Sequence, residues 1–343
     1  MDLAPRPLPA APAAILDAAG APCLGAYRGT VASAALRPLA PSGLAGSVAH
    51  LARAKRWVYV FAAGERAALG LAVVEAGWFA GAFLWALDRA AGRMLVERRG
   101  SGLPGVNARV DERPRGGASW RGGGLELRIS HGPGGLRVEG AGRGGLALDL
   151  SLDAGGAPAP LTVIAPVPGA GPRLTEKRAG LGARGAVRLG GRTLPLDGGS
   201  GGADFTAGLL ARRTDWRWAF ATGRTAGGAP VGFNLCAGFG LPPGDAAENA
   251  LLAGAGPLAL PPVAFAFDPA RPLDPWRVES AGGAVRLAFR PEAVHREDVA
   301  LGVVRTRFAQ VAGTFEGVLP APGGGALAVA GLPGVVEDHR AVW

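Results

Sequence analysis

Glu337, Asp338 and His339 stand side by side near the end of the sequence, in Gly334–Trp343. Neighbouring carboxyls push each other's proton affinities apart, and an imidazole beside them completes a set able to give and take protons. The rival reading is a charged final turn. Trp343 favours an end docked against the fold, because a frayed tail is usually small and polar. Asp204 is a second acid, placed after a Gly-rich turn and before Arg212-Arg213-Thr214-Asp215-Trp216-Arg217-Trp218. Alternation along a strand puts Trp216, Trp218 and Phe220 on one face and Arg213, Asp215 and Arg217 on the other. If that first face borders a barrel cavity, the two indoles line it and their ring faces can stabilise a cation. By base rate they are core.

Asn234 sits within the apolar run Val231–Leu235, and Glu248-Asn249 precede Ala250-Leu251-Leu252. Such groups need hydrogen-bond partners when buried, as satisfied core polars or as pocket groups. Glu176 belongs to the charged cluster Thr175–Gly180, read either as a solvated turn or as a barrel mouth. The catalytic candidates are therefore Asp204, Glu248 and His339. The ligand-contacting candidates are Glu176, Arg212, Arg213, Trp216, Trp218, Asn234, Asn249, Glu337 and Asp338. No cofactor and no metal is expected, because His50, His131, His295 and His339 lack ligand spacing.

Two motif matches lack their context. Gly140, Gly142 and Gly145 satisfy GxGxxG, but a strand-like run, Leu146–Leu150, follows where the dinucleotide fingerprint needs a helix. Gly198–Gly202 satisfies GxSxG around Ser200, but no strand-to-helix elbow follows.

The elements that must position these residues are strands. The 343 residues include 58 Gly and 29 Pro, the two poorest helix formers. An apolar fraction of 48% excludes disorder as the main state. Short apolar runs, in a pattern mostly of period two, recur at short spacing: Trp57–Phe61 returns through Leu69–Val74, Trp216–Ala221 through Val231–Leu235, and Arg277–Glu279 through Val285–Phe289. This pattern predicts antiparallel meanders closed into barrels or stacked as sandwiches. Pro12–Ala19 and the last nine residues are the only expected helices. The proline-rich stretch 157–173 reads as the junction, with Val163-Ile164 as a short edge strand. The expected organisation is an N-terminal extension (1–20), an N-terminal β-barrel (21–165) and a C-terminal β-barrel (166–343).

The formal charge of +9 comes mostly from arginine, spread along the chain. A nucleic-acid surface clusters its charge, so no nucleic-acid partner is expected; the arginine excess fits a GC-rich genome. Cys23 and Cys236 read as two free thiols in a reducing compartment, with one long-range disulfide as the alternative. Neither a signal peptide nor a transmembrane segment is expected, and the predicted location is cytoplasmic.

Eight segments in order resemble a bacterial family known as domain of unknown function 2804. They are Cys23–Gly29, Lys55-Arg56-Trp57, Thr175–Gly180, Trp216–Ala219, Gly232–Leu235, Glu248–Leu251, Asp274–Val278 and Glu337-Asp338-His339. A more distant likeness is to carotenoid hydratase-like and AttH-like proteins, carried by Asp204, the Trp216–Trp218 strand and Gly232-Phe233-Asn234. That likeness implies two lipocalin-like barrels that handle isoprenoids or other lipids. Where its pattern has a polar partner after the aspartate, this chain has Phe205-Thr206-Ala207-Gly208. Two functions follow as expectations: binding of a hydrophobic small molecule in a barrel cavity, or hydratase, isomerase or lyase chemistry at a C=C bond through a buried carboxylic acid. The sequence leaves open the choice between binding and catalysis, and the oligomeric state.

Overall fold

The computed structural model describes residues 7–40, 42–239, 247–301 and 304–343. Nearly all of the ordered structure is antiparallel strand. The first sheet holds β1 (Gly25–Arg28), β2 (Ala54–Ala63), β3 (Ala67–Ala76), β4 (Phe79–Asp88), β5 (Arg93–Gly102), β6 (Ala108–Val110), β7 (Ala118–Gly122), β8 (Leu125–Gly132), β9 (Gly135–Gly142), β10 (Leu146–Asp153), β11 (Leu161–Val167), β12 (Gly171–Leu189), β13 (Arg192–Pro195) and β14 (Gly199–Leu209). The second holds β15 (Arg213–Arg224), β16 (Pro230–Gly238), β17 (Ala250–Ala253), β18 (Gly256–Ala259), β19 (Ala264–Ala266), β20 (Trp276–Glu279), β21 (Arg286–Leu301), β22 (Val304–Pro320) and β23 (Ala326–Val342).

The first sheet runs β5-β4-β3-β2-β14-β12-β10-β9-β8-β7-β6, with its two ends packed together, so that it nearly closes as a barrel. The second runs β18-β17-β16-β15-β23-β22-β21-β20-β19 and forms a half-barrel. These are two lipocalin-like halves, as the more distant likeness implies, and antiparallel throughout, as the strand grammar predicts.

Each half has its own apolar filling. Val58, Val60, Leu69, Leu71 and Leu84 point into the first barrel, and Phe233, Trp276, Phe289 and Phe315 into the second. A third apolar layer lies between the halves: Tyr59, Phe61, Phe83 and Trp85 of the first sheet meet Trp216, Trp218 and Phe220 of the second. Several central strands are thus buried on both faces. This explains why Trp57–Phe61 is a continuous apolar run rather than an alternating one. Within β2 and β4, Val, Ala and Leu mostly face the barrel while the rings face the partner sheet. Opposite Trp85, Gly70 of β3 leaves room for the indole: a Cβ there would lie 2.4 Å from Trp85 Cζ2.

Several expectations need correction. The chain passes from the first sheet to the second between Leu209 and Arg213, not at 165/166, because β12 and β14 pair with β10 and β2. Val163-Ile164 lies in β11, which has partners on both sides, β1 and β12. The last nine residues are strand up to Val342 rather than helix, since β23 is held between β15 and β22. Pro12–Ala19 forms turns and isolated bridges. The single α-helix among the described residues is α1 (Gly43–Arg53), whose two glycines hide it from a propensity reading.

Neither the GxGxxG nor the GxSxG match has the helix its chemistry would need. Gly142 and Leu146 pair across the β9–β10 hairpin. Ser200 lies on β14 with its hydroxyl 2.7 Å from that of Thr222. Cys23 and Cys236 are both free.

Candidate functional site

The aromatic layer between the sheets is incompletely filled. It encloses a cavity of about 160 Å³. Trp57, Tyr59, Phe83, Trp216, Trp218 and Phe308 supply most of its rings, and its ionisable groups include Lys177, Asp204, Glu248, Glu337 and His339. The cavity therefore lies between the two halves and not inside a barrel, which corrects the expected placement of the tryptophans. Trp216 and Trp218 fill neither barrel; their strand face is the one turned to the opposite sheet.

Glu337 is the most distinctive of these groups. Trp216 Nε1 donates to its Oε1 at 2.7 Å, and Gln310 Nε2 to its Oε2 at 3.0 Å. Gln310 is fixed in turn, because Trp85 Nε1 (2.8 Å) and Tyr59 Oη (3.2 Å) donate to its carbonyl oxygen. These neutral donors hold the carboxyl in place, while burial pushes its pKa up to about 7. His339, two residues on and on the same strand face, has its pKa pushed down to about 3 by burial, so its imidazole is neutral near pH 7. Its Nε2 lies 2.8 Å from Thr306 Oγ1, and its Nδ1 lies 3.8 Å from Glu337 Oε1.

Asp204 is engaged differently. Trp57 Nε1 donates to Oδ2 at 3.1 Å, Thr175 Oγ1 donates to Oδ1 at 3.0 Å, and Lys177 Nζ pairs with Oδ1 at 2.9 Å. The Lys177 ammonium also lies over the Trp218 ring, 4.9 Å from its centroid. Deeper in the layer Glu248 pairs with Arg173, and both are fully buried. The Arg173 guanidinium stacks 4.0 Å from the centroid of Phe239. Cys236 lines the cavity as well, but burial pushes its thiol well up, which disfavours the nucleophilic thiolate.

The predicted site residues divide by strand face. Asp204, Glu248, Trp216, Trp218, Glu337 and His339 converge on the cavity. Asn234 and Asn249 support it from behind: Trp218 Nε1 donates to Asn234 Oδ1 at 2.7 Å, and Cys236 N donates to Asn249 Oδ1 at 2.7 Å. Asp338 points the opposite way from its neighbours and pairs with Arg217 at 2.8 Å. Glu176 occupies the other face of β12 from Thr175 and Lys177. It is buried near Arg178, and burial pushes its carboxyl up to about 7. Arg212 and Arg213 lie away from the cavity at the start of β15; Arg212 donates to the Trp343 carbonyl oxygen at 3.1 Å.

Lys177, Tyr59, Gln310 and Thr306 are site residues that sequence reasoning does not single out. Gln310 carries the same signal as Asn234, an amide in an otherwise apolar run. Among the described residues, no group of three or more His, Cys, Asp or Glu side chains has the arrangement of a metal site.

The fold is that of paired lipocalin-like halves, and its distinctive site is an aromatic cavity between them. The chain belongs to the DUF2804 family, a domain of unknown function, whose profile matches residues 9–343. No curated protein matches the sequence. Among solved structures it is similar to a protein assigned as AttH from Nitrosomonas europaea, at 14% identity and TM-score 0.44, covering 84% of this chain and 92% of that one. It is also similar to CghA, at 12% identity and TM-score 0.48 over 84% and 87% of the two chains. Kievitone hydratase from Nectria haematococca matches at 11% identity and TM-score 0.45 over 93% and 98%. The fold assignment rests on this chain's own strand pairing.

Proposed function

We propose that the protein binds an apolar, unsaturated small molecule in the cavity between its two sheets. One observation carries this reading: a cavity walled by indole and phenyl rings, into which a buried glutamic acid projects with two neutral donors and a pKa near 7. About 160 Å³ suits a single ring or the end of a longer chain. Apolar pockets with a few fixed polar groups are the usual form of small-molecule sites. Isoprenoid or lipid ligands fit this description, the longer part leaving past Arg99, Ser101 and Val299, which also line the cavity.

A second reading is favoured by Glu337 itself. A carboxyl that is half protonated near neutrality can deliver a proton to a C=C bond, with the electron-rich faces of Trp216 and Trp218 beside the resulting cation. Water addition then gives a hydratase, and loss of a different proton an isomerase. Asp204 is tied into an ion pair with Lys177, whereas Glu337 receives only neutral donors, so the proton-donor role passes from Asp204 to Glu337, with His339 as its neutral neighbour.

Incubation with a lipid and isoprenoid extract, followed by mass spectrometry, tests both readings. Unchanged molecules retained by the wild type support binding. A gain of the mass of water, or an isomer shift, that is lost in Glu337→Gln supports catalysis. If no apolar molecule is retained or converted, both readings fail.

A further inference from the structure

α1 lies on the surface with none of its eleven residues buried. Leu44, Val48 and Leu51 recur at i, i+4 and i+7, forming one stripe along the helix. They are 83%, 47% and 42% exposed. An isolated helix of this length is marginal in water, and most helices gain their stability by packing an apolar face. Much of the apolar stripe of α1 is left uncovered by the described chain.

Its surroundings indicate what covers it. Gly77, at φ 71°, turns β3 into β4 so close to the helix that a Cβ there would lie 2.7 Å from the Leu51 carbonyl oxygen. This turn places Trp78, 54% exposed, beside the last helical turn. The next residue, Phe79, lines the cavity. On the other side, Lys55 Nζ donates to the Ala52 carbonyl at 2.5 Å and lies over the ring of Trp343, another cavity residue. The stripe thus adjoins the cavity wall. The stretch of sequence that carries the helix has one sign of charge: from Ala18 through Gly64 it has no Asp or Glu, but contains Arg28, Arg37, Arg53, Arg56 and the buried Lys55. Arg37 and Arg53, which bracket the helix, are exposed. In the sheet, Glu75 pairs with Arg56 at 3.4 Å and Asp204 accepts from Trp57 at 3.1 Å while paired with Lys177, so these two acids are already engaged.

We propose that α1 and Trp78 form a docking face for an anionic lipid surface, placed beside the cavity. A leucine and valine stripe, an exposed tryptophan and flanking arginines are the features of helices that lie in the membrane interface. A second copy of the chain fits less well, because a two-fold contact would set this basic patch against the same basic patch of the other copy. The docking face does not depend on the identity of the cavity's occupant, and its test contains no cavity ligand.

The test is cosedimentation of the full chain with vesicles of phosphatidylcholine alone or mixed with phosphatidylglycerol. The expected result is binding to the mixed vesicles that weakens as salt rises. The triple variant Leu44→Ser, Val48→Ser, Leu51→Ser is expected to lower that binding at least about tenfold. Far-UV circular dichroism should show its sheet intact, because the three side chains are exposed. Arg37→Glu with Arg53→Glu should reduce binding to the mixed vesicles selectively. Absence of vesicle binding, equal binding by the triple variant, or a dimer that the triple variant abolishes in sedimentation equilibrium would each overturn the proposal.

Discussion

Glu337 and Asp204 are both buried carboxyls, yet their neighbours assign them different work. Glu337 receives two neutral donors and has its pKa raised to about 7 by burial. A carboxyl raised in this way binds more protons in the folded than in the unfolded state, so its stabilising contribution is present below pH 4.5 and lost as pH rises towards about 7. Melting curves across that window should show the wild type losing stability relative to Glu337→Gln; parallel curves would remove Glu337 as the titrating group. His339 has the opposite sign, since its lowered pKa costs stability below 6.5, and it does so equally in both proteins. Asp204, by contrast, is half of an ion pair whose side chains are 5% and 9% exposed. Asp204→Asn leaves the Lys177 ammonium buried without its counter-charge, at a cost of about 3 kcal/mol in chemical denaturation. A loss indistinguishable from that of an exposed pair would show that the ion pair does not hold the site together. Sequence alone names both acids, Asp204 as a catalytic candidate and Glu337 as a ligand contact, without the difference between them that lies in Trp216, Gln310 and Lys177, which come from other strands.

At the scale of elements, period-two alternation is the most informative signal. It places Trp216, Trp218 and Phe220 on one face and makes hairpins of β2–β3, β15–β16 and β20–β21, all of which the strand pairing bears out. The same alternation separates Glu337 and His339 from Asp338, although their adjacency in sequence invites reading them as one cluster. What alternation cannot disclose is which of two buried faces meets which neighbour. β15 is buried on both faces from Trp218 to Gly223, so the tryptophans' spacing suits a barrel interior as well as the layer between sheets, and the packing decides for the layer. Gly70 shows how closely that layer is fitted. Gly70→Ala should displace the Trp85 indole, break its hydrogen bond to Gln310 and cost about 1–3 kcal/mol. An unchanged melting temperature would mean that Trp85 has room to move.

For the whole molecule, the shared aromatic layer makes the two halves interdependent. Tyr59, Phe61, Phe83 and Trp85 are buried only because the second sheet covers them. The intact protein should therefore unfold in one calorimetric transition, and a fragment ending at Leu209 should bind the hydrophobic dye ANS and aggregate. Two separate transitions would contradict this dependence. Proline content misplaces the junction because it marks a break in pairing, whereas the passage between sheets is made by a short link after β14. Function follows from the same arrangement, since the cavity exists only where the two halves meet. The most direct test is binding of a panel of unsaturated ring and isoprenoid alcohols, read by tryptophan fluorescence, to the wild type and to Ala72→Leu, which adds bulk to the cavity wall. Saturable quenching is expected in the wild type and its loss in Ala72→Leu with the fold retained; equal quenching in both proteins would place the ligand elsewhere and contradict binding between the sheets.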